Sequence, residues 1–241
     1  MTKLFLVELF SGTGSVGHAV QERYGDDFEI RRHSVDVHPG YNPTTAVDLL
    51  TWDYKPALQG FLGGRSAHDL VVVWMSPPCT HYSVARTKAK IPRQLDWSDG
   101  LVLKALEIMR WVNPTFWFME NPVGMLMHRP IMAHLEPYLH ICSYCRYGKP
   151  FRKNTCIWHN VNDIVLHRCC KATPCDYFRE HRRHAVSAQS GPGRNKTPGT
   201  STAEAVYPIP APLVHQLFDA AVSEWEENAL VRWGRSVRST A

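Results

Sequence analysis

Apolar positions along the chain fall into two rhythms. LFLVELF (4–10), FEIRRHSVDV (28–37), DLVVVWMS (69–76) and TFWFMEN (115–121) are short apolar runs of strand length. GHAVQERY (17–24), GLVLKALEIMRWV (100–112) and PIPAPLVHQLFDAAVSEWEENAL (208–230) carry helical patterning, the last entered through prolines. Strands alternating with helices predict an α/β fold whose parallel sheet is covered on both faces. Ligands of such sheets sit beyond the carboxyl ends of the strands, where the segments around Gly12, Cys79 and Glu120 fall. The rhythm breaks after residue 156. HRCCKATPCDYFREHRRH (167–184) is rich in cysteine and histidine, and AQSGPGRNKTPGTST (188–202) reads as a loop. The chain is therefore expected to divide into a body, 1–156 plus 203–241, and an insertion, 157–202.

Composition narrows this picture. With 241 residues and 44% apolar content the chain can bury one sizeable core. No apolar run reaches the length of a membrane span, and MTKLFLVELFSG has neither a cationic leader nor a cleavage site, so a cytoplasmic protein without a membrane partner is expected. Seven cysteines, an odd number, point to reduced thiols and not to a disulfide framework. The net charge is +5, but residues 146 to 200 hold eleven Lys and Arg against three Asp and Glu. That asymmetry suits a segment facing a polyanion, with a solvated basic surface as the plain alternative.

Three motifs carry chemistry. Gly12, Gly14 and Gly17 in SGTGSVG fit GxGxxG, a turn that brings backbone close to a ligand at a helix N-terminus, and Asp36 could accept ribose hydroxyls. Nicotinamide, flavin and S-adenosylmethionine sites all share these features. SPPCTHYS places Cys79 after two prolines that stiffen the end of an apolar strand. A thiolate there can add to C6 of cytosine and turn C5 into a carbon nucleophile, whereas a buried structural thiol is the ordinary reading. FWFMENPVG supplies Glu120, a carboxyl able to hydrogen-bond N3 of such a ring, with Asn121 beside it.

Together these motifs resemble the S-adenosylmethionine-dependent cytosine-C5 DNA methyltransferases, in particular the short forms of phages and prophages. The resemblance covers about 1–156 and 203–241 and implies a Rossmann-like class I methyltransferase sheet. ELFSGTGSVG is similar to the family's first motif, which implies that Phe10, Gly12 and Gly14 line the cofactor, with Asp36 near the ribose, Asp48 near the adenine and Pro78 bordering the site. SPPCTHYS resembles the PPCQxxS motif and ENPVG the ENV motif, making Cys79 the nucleophile, Glu120 the N3 partner and Asn121 a positioning residue. YGKPFRKNT resembles the arginine motif and PIPAPLV the closing motif. Two departures stand out: Thr80 replaces Gln, and Phe151, Lys153 and Thr155 occupy the places of QxRxR, leaving Arg152 and Lys153 as substitutes.

The implied partner is DNA, met by a monomer. Ser83, Arg86 and Lys88, with Lys90 and Arg93, lie in a basic segment after the nucleophile that is expected to contact phosphates around a flipped base. The insertion is expected to act as a reduced target-recognition element, read through Arg168, Lys171, Arg182 and Arg183. Its thiols and imidazoles can hold zinc: Cys169 or Cys170, Cys175, and His181 or His184, of which Cys170, Cys175 and His184 are the preferred set, with Cys156 or His159 as a fourth ligand. CSYC (142–145) is expected to be core packing. Other classes stay open: an exocyclic-amine methyltransferase, an RNA methyltransferase, a silent DNA-binding homologue and a nicotinamide oxidoreductase.

Overall fold

The computed structural model describes residues 1–84, 90–169, 171–186, 188 and 207–239, with side chains as far as 230. Seven strands form one sheet: β1 (Lys3–Leu9), β2 (Glu29–Asp36), β3 (Thr45–Ala46), β4 (Leu70–Met75), β5 (Phe116–Pro122), β6 (Leu139–Ser143) and β7 (Asn154–His159). Their order is β3-β2-β1-β4-β5-β7-β6. The expected parallel arrangement holds from β3 to β5, whereas β7 runs antiparallel to both β5 and β6. A short link through a 3-10 turn, Tyr144–Tyr147, joins β6 to β7, and such a link cannot make the long crossover that parallel neighbours need.

Strand alternation sorts the core into two layers. Phe5, Val7, Leu9, Val71, Val73 and Met75 face α2 (Tyr54–Phe61) and α3 (Leu95–Val112). Leu4, Leu6, Leu70, Val72 and Trp74 face α1 (Ser15–Tyr24) and, beyond a short helix α4 (Asp176–His181), the long α5 (Ala211–Ser239). Leu213, Val214, Leu217, Phe218 and Ala221 of α5 are fully buried at helical spacing, each contributing roughly 1–3 kcal/mol through lost apolar exposure. Helix α5 is pinned to α1 by the Tyr24 hydroxyl and Arg23, both on Asp219.

Strand β7 continues to His159, so the chain leaves the sheet at residue 160 and not at 157. Between 165 and 186 the only buried described side chains are Cys169 and Cys175. The loop expected over 188–202 lies outside the described residues apart from Ala188, as do Arg86, Lys88 and Cys170. No helix among the described residues is long and apolar enough to cross a membrane.

Candidate active site

Strand β1 ends in a turn of left-handed residues: Phe10 at φ 58°, Gly12 at 47° and Gly14 at 70°. An aromatic residue at positive φ costs on the order of 1–2 kcal/mol and survives only where its surroundings impose it. Phe10 is held there by packing against the core under β1. Gly12 opens outward, with no atom within 4 Å of where a Cβ would stand. Its N–H donates to Asp36 Oδ2 at 2.8 Å, and the N–H of His38 donates to Oδ1 at 2.9 Å, fixing the carboxylate at the end of β2.

Across the sheet's carboxyl edge lies the thiol. Ser76 and Pro77 carry the chain off β4, and the Cys79 carbonyl accepts from the N–H groups of Tyr82 at 3.0 Å and Ser83 at 2.9 Å, which curls the loop back. Buried Asp99 accepts from the Tyr82 hydroxyl at 2.8 Å and from Arg129. Arg93 donates to the carbonyls of His81 and Ser83, so it grips the loop's own backbone. The loop also touches the ENPVG segment. A Cβ at Gly124 would stand 2.7 Å from the Tyr82 carbonyl oxygen, too close for any other residue without a shift.

One strand over, Asn121 donates through Nδ2 to the Pro77 carbonyl at 2.8 Å, bracing the proline turn from β5. Glu120 Oε1 accepts from the Tyr144 hydroxyl at 2.9 Å and lies 3.6 Å from Lys153 Nζ, whose ammonium sits 4.6 Å above the Tyr144 ring. Burial holds the Tyr144 phenol well above its ordinary pKa, so it remains a donor at any working pH. Burial also raises the Cys79 thiol, Glu120 adds to the rise and Lys153 opposes it. A resting protonated thiol follows, with one cation already placed to favour its ionisation.

These parts border one cavity of about 320 Å3. Phe10, Gly12 and Asp36 form one wall, Pro78, Cys79, Glu120 and Lys153 the other, and Tyr207 and Ile209 close it from the segment before α5. The Ile209 N–H donates to Ser15 Oγ at 3.1 Å, tying that segment to the start of α1. The structure thus brings together seven of the residues marked from the motifs. Gly14 caps α1 just behind the wall. Asp48 lies off the lining with Oδ1 accepting from the Leu50 N–H, and Arg152 is exposed, its charge felt at His184. Arg168, Lys171, Arg182 and Arg183 are all exposed on the insertion.

Two of the three preferred candidate metal ligands, Cys175 and His184, lie in one cluster. Among the described residues Cys145, Cys169, Cys175 and His184 converge, their ligating atoms all within 4.8 Å of one another. Cys169, the named alternative to Cys170, is in this cluster, and Cys170 lies outside the described residues. Cys145 supplies the fourth position given to Cys156 or His159, both of which are buried in β7. The reading of CSYC as core packing holds for Cys142, which is buried, and fails for Cys145.

Motif reading also missed Glu8, a cavity-wall carboxyl that burial pushes up to about 7 although Arg32 donates to it at 2.8 Å. A lone acid inside LFLVELF was the available signal.

No protein-family model matches the chain. A curated protein of Frog virus 3 (isolate Goorha), "Probable DNA (cytosine-5)-methyltransferase", is 29% identical over 231 residues, covering 89% of this chain and 98% of that protein. Among solved structures, a methyltransferase of Entamoeba histolytica shares the fold at a TM-score of 0.50 and 18% identity, over 70% of this chain and 57% of that one. Motifs, sheet and near full-length similarity agree, and the chain resembles the DNA (cytosine-5)-methyltransferases along most of its length.

Proposed function

We propose that the chain transfers a methyl group from S-adenosylmethionine to C5 of cytosine in DNA, with Cys79 as a transient covalent nucleophile. The observation that carries this reading is the single cavity shared by the glycine-turn wall and the Cys79, Glu120 and Lys153 wall.

The first wall fits the cofactor. Its volume lies in the range of roughly 300–1,000 Å3 common for small-molecule sites, Gly12 presents bare backbone, and the Asp36 carboxylate is fixed with lone pairs left for ribose hydroxyls. Bound there, S-adenosylmethionine supplies an electrophilic methyl group on a sulfonium. Phe10, Gly12, Asp36 and Pro78 are the residues that would hold it.

The chain's own residues prepare the base. Cys79 gives up its proton to solvent water, and the sulfur pair forms a bond to C6 while ring electrons move through C4 toward N3. Glu120 receives the developing charge. Its Oε1 is already held by Tyr144 and Lys153, so Oε2 is the oxygen offered to the base, and in protonated form it delivers hydrogen to N3. Lys153 stabilises thiolate and carboxylate in turn. Once C5 carries the methyl group, the N3 proton returns to Glu120, and loss of the C5 proton to solvent water re-forms the C5=C6 bond and expels the sulfur as thiolate. Amine methylation would want an aromatic residue after the prolines to stack on the base, and Cys79 holds that position.

The test uses the full chain with tritiated S-adenosylmethionine and DNA containing 5-fluorocytosine, whose fluorine cannot leave as a proton. A denaturant-resistant, labelled protein–DNA adduct that vanishes in Cys79→Ala is expected. Label in DNA without an adduct would overturn the covalent mechanism, and no label at all would overturn the enzyme reading.

A further inference from the structure

Among the described residues the insertion builds no apolar cluster of its own: Val161, Ile164, Leu166, Val186 and Ala188 pack on the body's core, and between 165 and 186 only two thiols are buried. We propose that Cys145, Cys169, Cys175 and His184 bind one structural zinc ion, which holds the insertion against the end of β6. The ligand set crosses the boundary between body and insertion. Cys145 comes from the 3-10 turn after β6, and the other three come from the insertion.

The geometry suits a tetrahedral ion. A site with metal–sulfur bonds of about 2.3 Å has edges of roughly 3.8 Å. The Cys169 and Cys175 sulfurs lie 3.8 and 3.5 Å from His184 Nε2, and every remaining pair falls within 4.8 Å. One disulfide could join only two of the three thiols and would leave a histidine aimed at sulfur without purpose. Three thiolates with one imidazole form a closed site that favours zinc over oxygen-seeking cations.

The surroundings are arranged to deliver these ligands. Cys175 caps α4, and its N–H donates to Cys169 Sγ at 3.3 Å, the kind of contact that steadies a thiolate ligand. Arg182 ends α4 at φ 56°, a left-handed residue that turns the chain so that His184 returns to the cluster. The Phe178 ring lies 5.2 Å from that imidazole. Around the cluster, the Cys169 N–H donates to Ser143 Oγ at 2.9 Å, the Ser143 N–H to the His167 carbonyl at 3.0 Å, and Arg146 to the Pro174 carbonyl at 2.9 Å. In a segment whose described apolar side chains pack only on the body's core at its two ends, metal-binding energy is available as folding energy. Because Tyr144 precedes Cys145 and holds Glu120, the ion would also steady that carboxyl; this consequence rests on the methyl-transfer reading, and the metal site does not.

The test is metal content of the full untagged chain, purified under reducing conditions without added metal. One zinc per chain that survives gel filtration is expected, as is a cobalt-exchanged form showing thiolate charge-transfer bands and the visible bands of tetrahedral cobalt. Cys145→Ser, Cys175→Ser and His184→Ala should each lose the ion to a chelator concentration that the wild type withstands, whereas His184→Cys should retain it. A folded, reduced wild-type chain with no stoichiometric zinc and no cobalt uptake overturns the proposal, as does iron in place of zinc or full zinc retention in Cys145→Ser. Should the variants fail to fold, the wild-type stoichiometry and cobalt spectrum decide. None of these readouts depends on methyl transfer.

Discussion

The body and the insertion are stabilised by opposite means. In the body, β1, β4 and β5 bury alternate side chains into two apolar layers, and the site hangs on the sheet's carboxyl edge. In the insertion, the described apolar side chains Val161, Ile164, Leu166, Val186 and Ala188 lean on the body's core, and between 165 and 186 exposed cations surround two buried thiols. Chemistry that needs groups held within a fraction of an ångström belongs on the first kind of scaffold, and adaptable contact with a polyanion suits the second. The comparison predicts that the two can be damaged separately.

The largest expected effect is Cys79→Ala. Losing a covalent nucleophile should cost about four orders of magnitude or more in turnover. Binding of DNA and cofactor, measured by fluorescence anisotropy and calorimetry, should change less than about tenfold, an order-of-magnitude allowance for a Cys-to-Ala change at a half-buried position. Equal loss of DNA affinity would mean that the thiol loop, and not the insertion, dominates the grip.

A second prediction concerns the body alone. The folded Glu8 carboxyl titrates near 7 against a usual 4.5, so between these values the folded chain keeps a proton that the unfolded chain has released. The associated stability is fully present below about 4.5 and is lost as pH rises through 7. Urea unfolding should therefore show the wild type losing up to about 3 kcal/mol more than Glu8→Gln between pH 5 and pH 8. Parallel pH profiles for the two proteins would show that Arg32 compensates the buried charge completely.

How much of this was legible beforehand follows the same division. Strand and helix rhythm gave β1, β2, β4, β5, α1, α3 and α5, because burial on both faces leaves apolar runs that sequence displays. Cys79, Glu120 and the Gly12 turn were legible because each breaks such a run at its end. The antiparallel β6–β7 pair was not, since LHICS and NTCIWH carry no mark of direction. Contacts that cross the fold were hidden as well: Tyr144 reaching Glu120, Asn121 bracing Pro77, and Gly124 making room for the Tyr82 carbonyl. The thiol–imidazole cluster was half legible. Local spacing singled out Cys175, His184 and the choice of Cys169 or Cys170, of which Cys170 lies outside the described residues, but Cys145 lies thirty residues before Cys175 on another element.

The third prediction sharpens the electrostatics of the body's site. Lys153 lowers the Cys79 pKa and Glu120 raises it. Lys153→Met should move the midpoint of iodoacetamide alkylation to higher pH, because the thiolate loses its cation. Glu120→Gln should move it lower, both by removing an anion and by freeing Lys153 from its ion pair. Shifts on the order of one pH unit are expected at this partly solvated site. An unchanged midpoint in Lys153→Met would show that Lys153 serves Glu120 alone and leaves the sulfur untouched.

The smallest effect belongs to the insertion's surface. Arg168 and Arg183 are exposed, form none of the described ion pairs, and sit on a segment with a strong excess of positive charge. Each phosphate contact releases condensed counterions, so its removal lowers the slope of log K against log salt by about one and weakens binding alike across sequences. Arg168→Ala and Arg183→Ala should each flatten the salt dependence by about that amount on cognate and non-cognate duplexes, with turnover at saturating DNA unchanged. A loss confined to one sequence would instead make that arginine a reader of base edges, a role worth roughly 1–3 kcal/mol at a single position. No change in slope at either position would move the DNA surface off the insertion, to the segment following Cys79, and would leave the insertion's positive charge without a role in binding.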